Sequence, residues 1–161
     1  MKRTAIICIV VCLLVMLAAV VMFFAFPRTN LYDNDKKLAA DFNTYNLVNA
    51  RYDIEEQRIY GTFDTFEGMI NLWEYEVSEE QELTVDYTLH VTEGKVKLVL
   101  ITPDDTVATL AERTAESESE EVEGTCTITV KAGNNRIKIV GDKGSSVEFD
   151  LSIAEGDFTS H

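Results

Sequence analysis

The chain has 161 residues, 26% of them charged, with a formal net charge of −14. Removing the two positive charges of Lys2 and Arg3 leaves −16 on the remainder, which repels a phosphate backbone and argues against nucleic acid as a partner. Of three cysteines only Cys126 lies outside the apolar N-terminal stretch, so the rest of the chain forms no internal disulfide and depends on packing.

Residues 1–3 are a short basic terminus. Residues 4–26 contain no charge, no Gly and no Pro, and Pro27 follows. A helix of that length, at ~1.5 Å per residue, spans a hydrocarbon core of about 30 Å. The expectation is one transmembrane helix that stays attached as a signal anchor, contacting membrane lipid. Lys2, Arg3 and the amino terminus outweigh Arg28, which favours a cytoplasmic N-terminus and an extracytoplasmic C-terminal domain at the cell membrane. The rival reading is a cleaved signal peptide. Its apolar core would be shorter, and cutting after Ala19 would leave Val20 to Phe26 as an apolar new terminus.

Residues 27–45 read as a membrane-proximal connector with a short helix. Asn34 or Asp35 can cap it, and Leu38 and Phe42 share the i, i+4 spacing. Asp33-Asn34-Asp35 lacks the Gly and distal Glu of a calcium loop.

From 46 to 155 the period is two. Leu83, Val85, Tyr87, Leu89 and Val91 alternate with polar residues, which places one face on a core and the other in water. Thr92-Glu93-Gly94 reads as a turn into Val96–Ile101, predicting a hairpin. Further strands are expected over 59–66, 69–77, 124–131, 134–140 and 146–153. Pro103-Asp104-Asp105 and Gly141–Gly144 read as turns. Glu116–Glu123 is an acidic insertion, and 156–161 a frayed tail. The fold class predicted is all-β, an antiparallel β-sandwich of jelly-roll type.

Chemistry is sparse. His90 sits on the polar face of the clearest strand without a spacing that indicates a nucleophile. Two distant histidines and one cysteine cannot supply a zinc site. Asp104, Asp105 and the acidic insertion lack defined calcium spacing. No catalytic residue, cofactor or metal ligand is assigned. Tyr60, Phe63, Phe66, Trp73 and Tyr75 cluster in one stretch. Trp73, Tyr75, Phe63 and Phe66 are the candidates for contact with a sugar or a partner protein, the other reading being that the rings fill the core.

The run Leu83–Tyr87, Gly94–Asp105, Gly124–Val130, Asn135–Gly141 and Val147–Ile153 resembles a β-sandwich accessory module of bacterial surface proteins. It is similar to pre-peptidase C-terminal domains and galactose-binding-like sandwiches. The resemblance implies a non-catalytic role. A later strand of that family carries Gly-x-Tyr where this chain has Cys126 or Ile137, and no ligand residue carries over. The functional expectation is a membrane-anchored module for binding, adhesion or envelope structure, with a protein or carbohydrate ligand. The alternatives are an accessory subunit of a membrane complex recruited through its helix and, third, a small envelope hydrolase.

Overall fold

The computed structural model describes Met16, residues 30–116 and residues 123–159. The chain divides into two compact units, Met1–Asn30 and Leu31–His161. Apart from Met16, the expected membrane helix over 4–26 lies outside the described residues, as does most of the acidic insertion. Among the described residues no helix is long and apolar enough to cross a membrane.

The second unit is all-β, with one four-residue helix, α1 (Asp35–Leu38). Its described strands are β1 (Thr44–Glu55), β2 (Arg58–Val77), β3 (Gln81–Glu93), β4 (Lys95–Ile101), β5 (Val107–Thr114), β6 (Glu123–Val130), β7 (Gly133–Ile153) and β8 (Asp157–Phe158). Every pairing is antiparallel. The two long strands organise the rest. β2 and β7 pair along most of their lengths, from Arg58↔Ser152 to Val77↔Gly133. The second half of β7 also pairs with β3, and its first half with β4. One half of the fold therefore runs β1-β2-β7-β3-β6, while the other adds β4 and then β5 to the opposite end of β7.

The elbow between the halves is built from irregularities in β2. The β2/β7 register shifts between Phe63 and Phe66 and again between Phe66 and Gly68. Bulges of this kind bend a strand without ending its ladder, and they form the corners where strands pass between sheets. Gly68 has φ 122°, a conformation open to glycine. Gly141 serves by close approach: a Cβ there would lie 2.4 Å from Phe66 Cδ1. The Phe66 ring fills the elbow.

Bending brings two apolar faces together. Ile59, Phe63, Val85, Leu89, Phe149 and Leu151 from one half share a core with Ile70, Leu72, Val96, Leu98, Ile137 and Ile139 from the other. Fully burying each such side chain stabilises by roughly 1.5–3 kcal/mol. The sheet halves thus face each other across one core, in accord with the predicted β-sandwich.

Several expected elements differ. The strands predicted over 59–66 and 69–77 are one strand, β2, and those over 134–140 and 146–153 are one strand, β7. Glycines that read as turns instead let these ladders bend. β3 and β4 do not form a hairpin: β3 pairs with β6 and β7, and β4 with β5 and β7. Gly94, at φ 68°, carries the chain from one half to the other, and both strands point their apolar side chains at the shared core. β1 and β5 were not expected as strands. Each contains an irregularity that breaks the period of two: Asn49 at φ 51° in β1, and the register shift opposite Leu98 and Val99 in β5. β8 lies within the expected frayed tail.

The segment read as a connector is a strap across the outer face of the β4–β7–β2 half. Asn34 caps α1, its side chain accepting from the backbone N–H of Lys37 at 3.1 Å. Tyr32, Leu38 and Ala39 are buried against Met69, Val99, Ile101 and Val140 in a second apolar cluster. α1 ends at Leu38, so Phe42 leaves the helix and is 56% exposed. Two buried cations hold the strap by its backbone. Arg136 donates to Ala39 O at 2.8 Å and pairs with Asp41, while Lys138 donates to Ala40 O and, at 3.2 Å, to Phe42 O. The Tyr32 hydroxyl donates to Glu112 at 2.8 Å, and the ammonium groups of Lys95 and Lys97 lie 4.2 and 4.6 Å from its ring centroid.

Candidate functional site

The strap covers the outer face of one half. Among the described residues no segment covers the outer face of the β1-β2-β7-β3-β6 half, and its composition follows from strand parity. Ile59, Phe63, Phe149, Leu151, Val85 and Leu89 point to the core, so the residues between them point outward. The registers then place these residues in rows across the strands. Arg51, Thr62, Glu148 and His90 form one row. Asp53, Tyr60, Asp150, Thr88 and Glu123 form the next. Glu55, Arg58, Ser152, Asp86 and Thr125 form the third.

Together these rows floor an open groove. A hollow of about 570 Å³ is lined by the first two rows with Arg58, Tyr52, Gly61 and Phe149. A second of about 470 Å³ continues over Asp86, Gly124, Thr125 and Ser152, sharing Thr88, Glu123 and Asp150 with the first.

Tyr60 and Arg58 are tied together within the groove. The Arg58 Nε donates to both carboxylate oxygens of Asp150 across the β2–β7 pair, at 2.9 and 3.0 Å, and a terminal nitrogen of the same guanidinium also contacts Asp150. This carboxylate holds the guanidinium more firmly protonated than usual. The guanidinium carbon lies 4.7 Å from the Tyr60 ring centroid, and Glu55 is 3.9 Å from the same side chain. The charge of Glu55, then burial, pushes the Tyr60 hydroxyl above its ordinary pKa. A planar ring is therefore held on the sheet beside a guanidinium fixed by a carboxylate fork. Nearby, Thr125 Oγ1 donates to Asp86 at 2.6 Å. Ring, fixed guanidinium and rows of acceptors can stack on and hydrogen-bond a flat, hydroxyl-rich ligand.

The aromatics singled out from sequence lie elsewhere. Phe63 and Phe66 pack at 5.2 Å between centroids, and Phe63 and Phe149 at 5.0 Å, all within the core. Trp73 is fully buried, its Nε1 donating to Glu155 O at 2.7 Å. These three rings present no face to a ligand. They fill the core, as the other sequence reading has it. Tyr75 is half-buried beside Trp73, and its hydroxyl accepts from Gln81 at 3.2 Å. Tyr60 was in the same aromatic stretch. Its parity, opposite to Ile59 and Phe63, was the signal that could have separated it from the core rings.

His90 faces outward, across from Glu148 on β7. Cys126 is half-buried on β6, packed against the core, and burial followed by the charge of Asp86 pushes its thiol pKa up. Asp104 accepts from Lys131 at 2.8 Å and from Thr102, and the Lys131 bond leads in holding its carboxyl well below the usual range. Among the described residues no group of three or more His, Cys, Asp or Glu is placed to hold a metal ion.

The fold and this face define an antiparallel β-module with an open polar groove on one sheet half. No family model matches the chain, and no curated protein matches it. Solved structures similar to it include carbohydrate-binding modules. One is a carbohydrate binding module of family 29, at 12% identity and TM-score 0.43, covering 70% of this chain and 79% of that one. Another is BiXyn10A CBM1 in its apo form, at 8% identity and TM-score 0.43, covering 72% and 98%. A third is a module from Cellvibrio mixtus lichenase 5A in complex with cellotriose, at 11% identity and TM-score 0.40, covering 72% and 91%.

Proposed function

We propose that this chain is a non-catalytic binding module whose groove on the β1-β2-β7-β3-β6 half takes a carbohydrate. In this reading residues 4–26 retain it at the cell membrane as a signal anchor, with the N-terminus cytoplasmic and the β-module extracytoplasmic. The observation that carries the ligand class is the arrangement around Tyr60. A sugar ring has an apolar C–H face and a rim of hydroxyls. Tyr60 offers the flat apolar partner; Asp53 on the next strand of its row, Glu148 on the next strand one row away, and Thr88 two strands across in its row offer hydrogen-bond partners. The anchor acts by raising local concentration at the surface, so a weak, open site is sufficient.

The test is binding of full-length protein in detergent to immobilised oligosaccharides, comparing the native chain with Tyr60→Ala. Tyr60 lies on the outer face, so the substitution is expected to leave unfolding nearly unchanged while binding falls at least about tenfold. Equal binding by both proteins would remove the groove from the function.

A second reading, an accessory subunit of a membrane complex, is favoured by the exposed apolar residues Phe42, Tyr45 and Val48, at 56%, 45% and 49% exposure. Affinity purification from the native membrane separates the two. Retrieval of a protein partner by the full chain that is lost on Phe42→Ser, Val48→Ser supports the subunit reading.

A further inference from the structure

We infer that the groove accepts uncharged glycans and rejects acidic ones, those bearing uronate or sulfate groups. This rests on the glycan reading above and names the ligand class of the same site.

The argument is electrostatic and begins with which charges are free. Among the described residues five carboxylates line the two hollows, against the guanidiniums of Arg51 and Arg58. Arginine is the residue that would ordinarily recruit a carboxylate or sulfate, through its planar fork of donors. Arg58 cannot serve in that way. Its fork is already closed on Asp150, Glu55 lies 3.9 Å away, and the Tyr60 ring occupies one face of the guanidinium. It positions Tyr60 and is neutralised by its partners. Among the described residues lining the groove, Arg51 is then the one guanidinium with no carboxylate closed on it, and in its row it faces the same groove as Glu148.

Adjacent strands are about 4.8 Å apart, so carboxylates on neighbouring strands lie within a Debye length of any ligand seated on the sheet. Salt screens them only partly. An acidic sugar would bring a like charge against several fixed ones and would desolvate them, with one guanidinium in compensation. A neutral sugar reverses this balance. Its hydroxyls are donors, and the carboxylates are acceptors with lone pairs to fill. Hydrogen bonds to charged acceptors are the stronger kind. The same groups that repel an acid therefore hold a neutral polyol.

The experiment titrates full-length protein in detergent with uncharged hexasaccharides of gluco, manno and xylo configuration, and with matched uronate oligosaccharides. Each series is run at low and high salt, with Tyr60→Ala alongside. The expected result is Tyr60-dependent binding of at least one neutral sugar and uronate binding weaker by at least about tenfold at low salt. The gap should narrow as salt rises. The double variant Asp53→Asn, Glu148→Gln, at two exposed positions, should narrow it at low salt. Tyr60-dependent uronate binding equal to or tighter than neutral binding overturns this inference and leaves the glycan reading in place. A gap that the double variant leaves unchanged also overturns it. No Tyr60-dependent binding in any series overturns both.

Discussion

Lys138 is 1% exposed in a protein that is otherwise strongly acidic, and what it holds is backbone. Its ammonium donates to Ala40 O and Phe42 O and so fastens the strap between α1 and β1. Replacing it with Met keeps the length and apolar stem but removes both donors. Two carbonyls then lose their partners, at about 1–3 kcal/mol for each one that water cannot reach. Against this, Met removes the cost of keeping an ammonium out of water. The net expectation for Lys138→Met is a loss of about 1–3 kcal/mol at neutral pH, measured by urea unfolding of fragment 30–161. The pH dependence carries the sign. Burial, then the neighbouring Arg136, pulls the Lys138 pKa down to about 8, below its ordinary value near 10.5. Between those values the unfolded chain binds a proton that the folded chain does not. The Lys138 contribution to stability therefore rises with pH across that window, at roughly 1 kcal/mol per pH unit at most. Tyr32 acts above it. Burial and Glu112 raise its hydroxyl pKa, so its contribution is complete below about pH 10 and is lost as pH climbs further. The native fragment should thus gain stability from pH 8 to about 10 relative to Lys138→Met. A variant as stable as the native fragment at pH 7 would refute the strap's dependence on Lys138, and an identical pH profile for both would refute its lowered pKa.

Asn34→Ala should cost about 1 kcal/mol through loss of the α1 cap, and hydrogen exchange should rise in residues 31–42 before the sheet is affected. Gly141→Ala places a methyl 2.4 Å from the Phe66 ring, and thermal unfolding should show a loss of about 1–3 kcal/mol or more. Trp73→Phe retains a buried ring but leaves Glu155 O without its 2.7 Å donor and opens a small void. A loss of about 1–3 kcal/mol by urea denaturation is expected, and an unchanged midpoint would count against the Trp73 bond.

Periodicity alone made the strand content of 83–91, 96–101 and 146–153 legible, because alternation of apolar and polar residues has a single physical cause, one wet face and one dry. The helix start was legible, as a cap at Asn34 or Asp35, for a similar reason: a short side-chain acceptor meets the first-turn N–H groups locally, and the structure gives the role to Asn34. Asn49 at positive φ in β1 and a bulge in β5 hid these strands by breaking that alternation, and Gly68 and Gly141 read as breaks where the chain only bends. Whether a glycine ends a strand or turns its corner depends on what packs against it, here Phe66, which is distant in sequence from Gly141.

The sequence by itself determined the all-β class, the acidic character of residues 27–161 and the apolar stretch over 4–26, since each depends on composition or local period. Tertiary structure alone decided that β3 and β4 part company, that residues 31–42 are strapped down by Lys138 and Arg136, and that Tyr60 rather than Trp73 faces the groove. Those outcomes depend on pairings between distant strands. A period of two separates the faces of one strand, but only the register says which strands share a face, and which side of the sheet is covered.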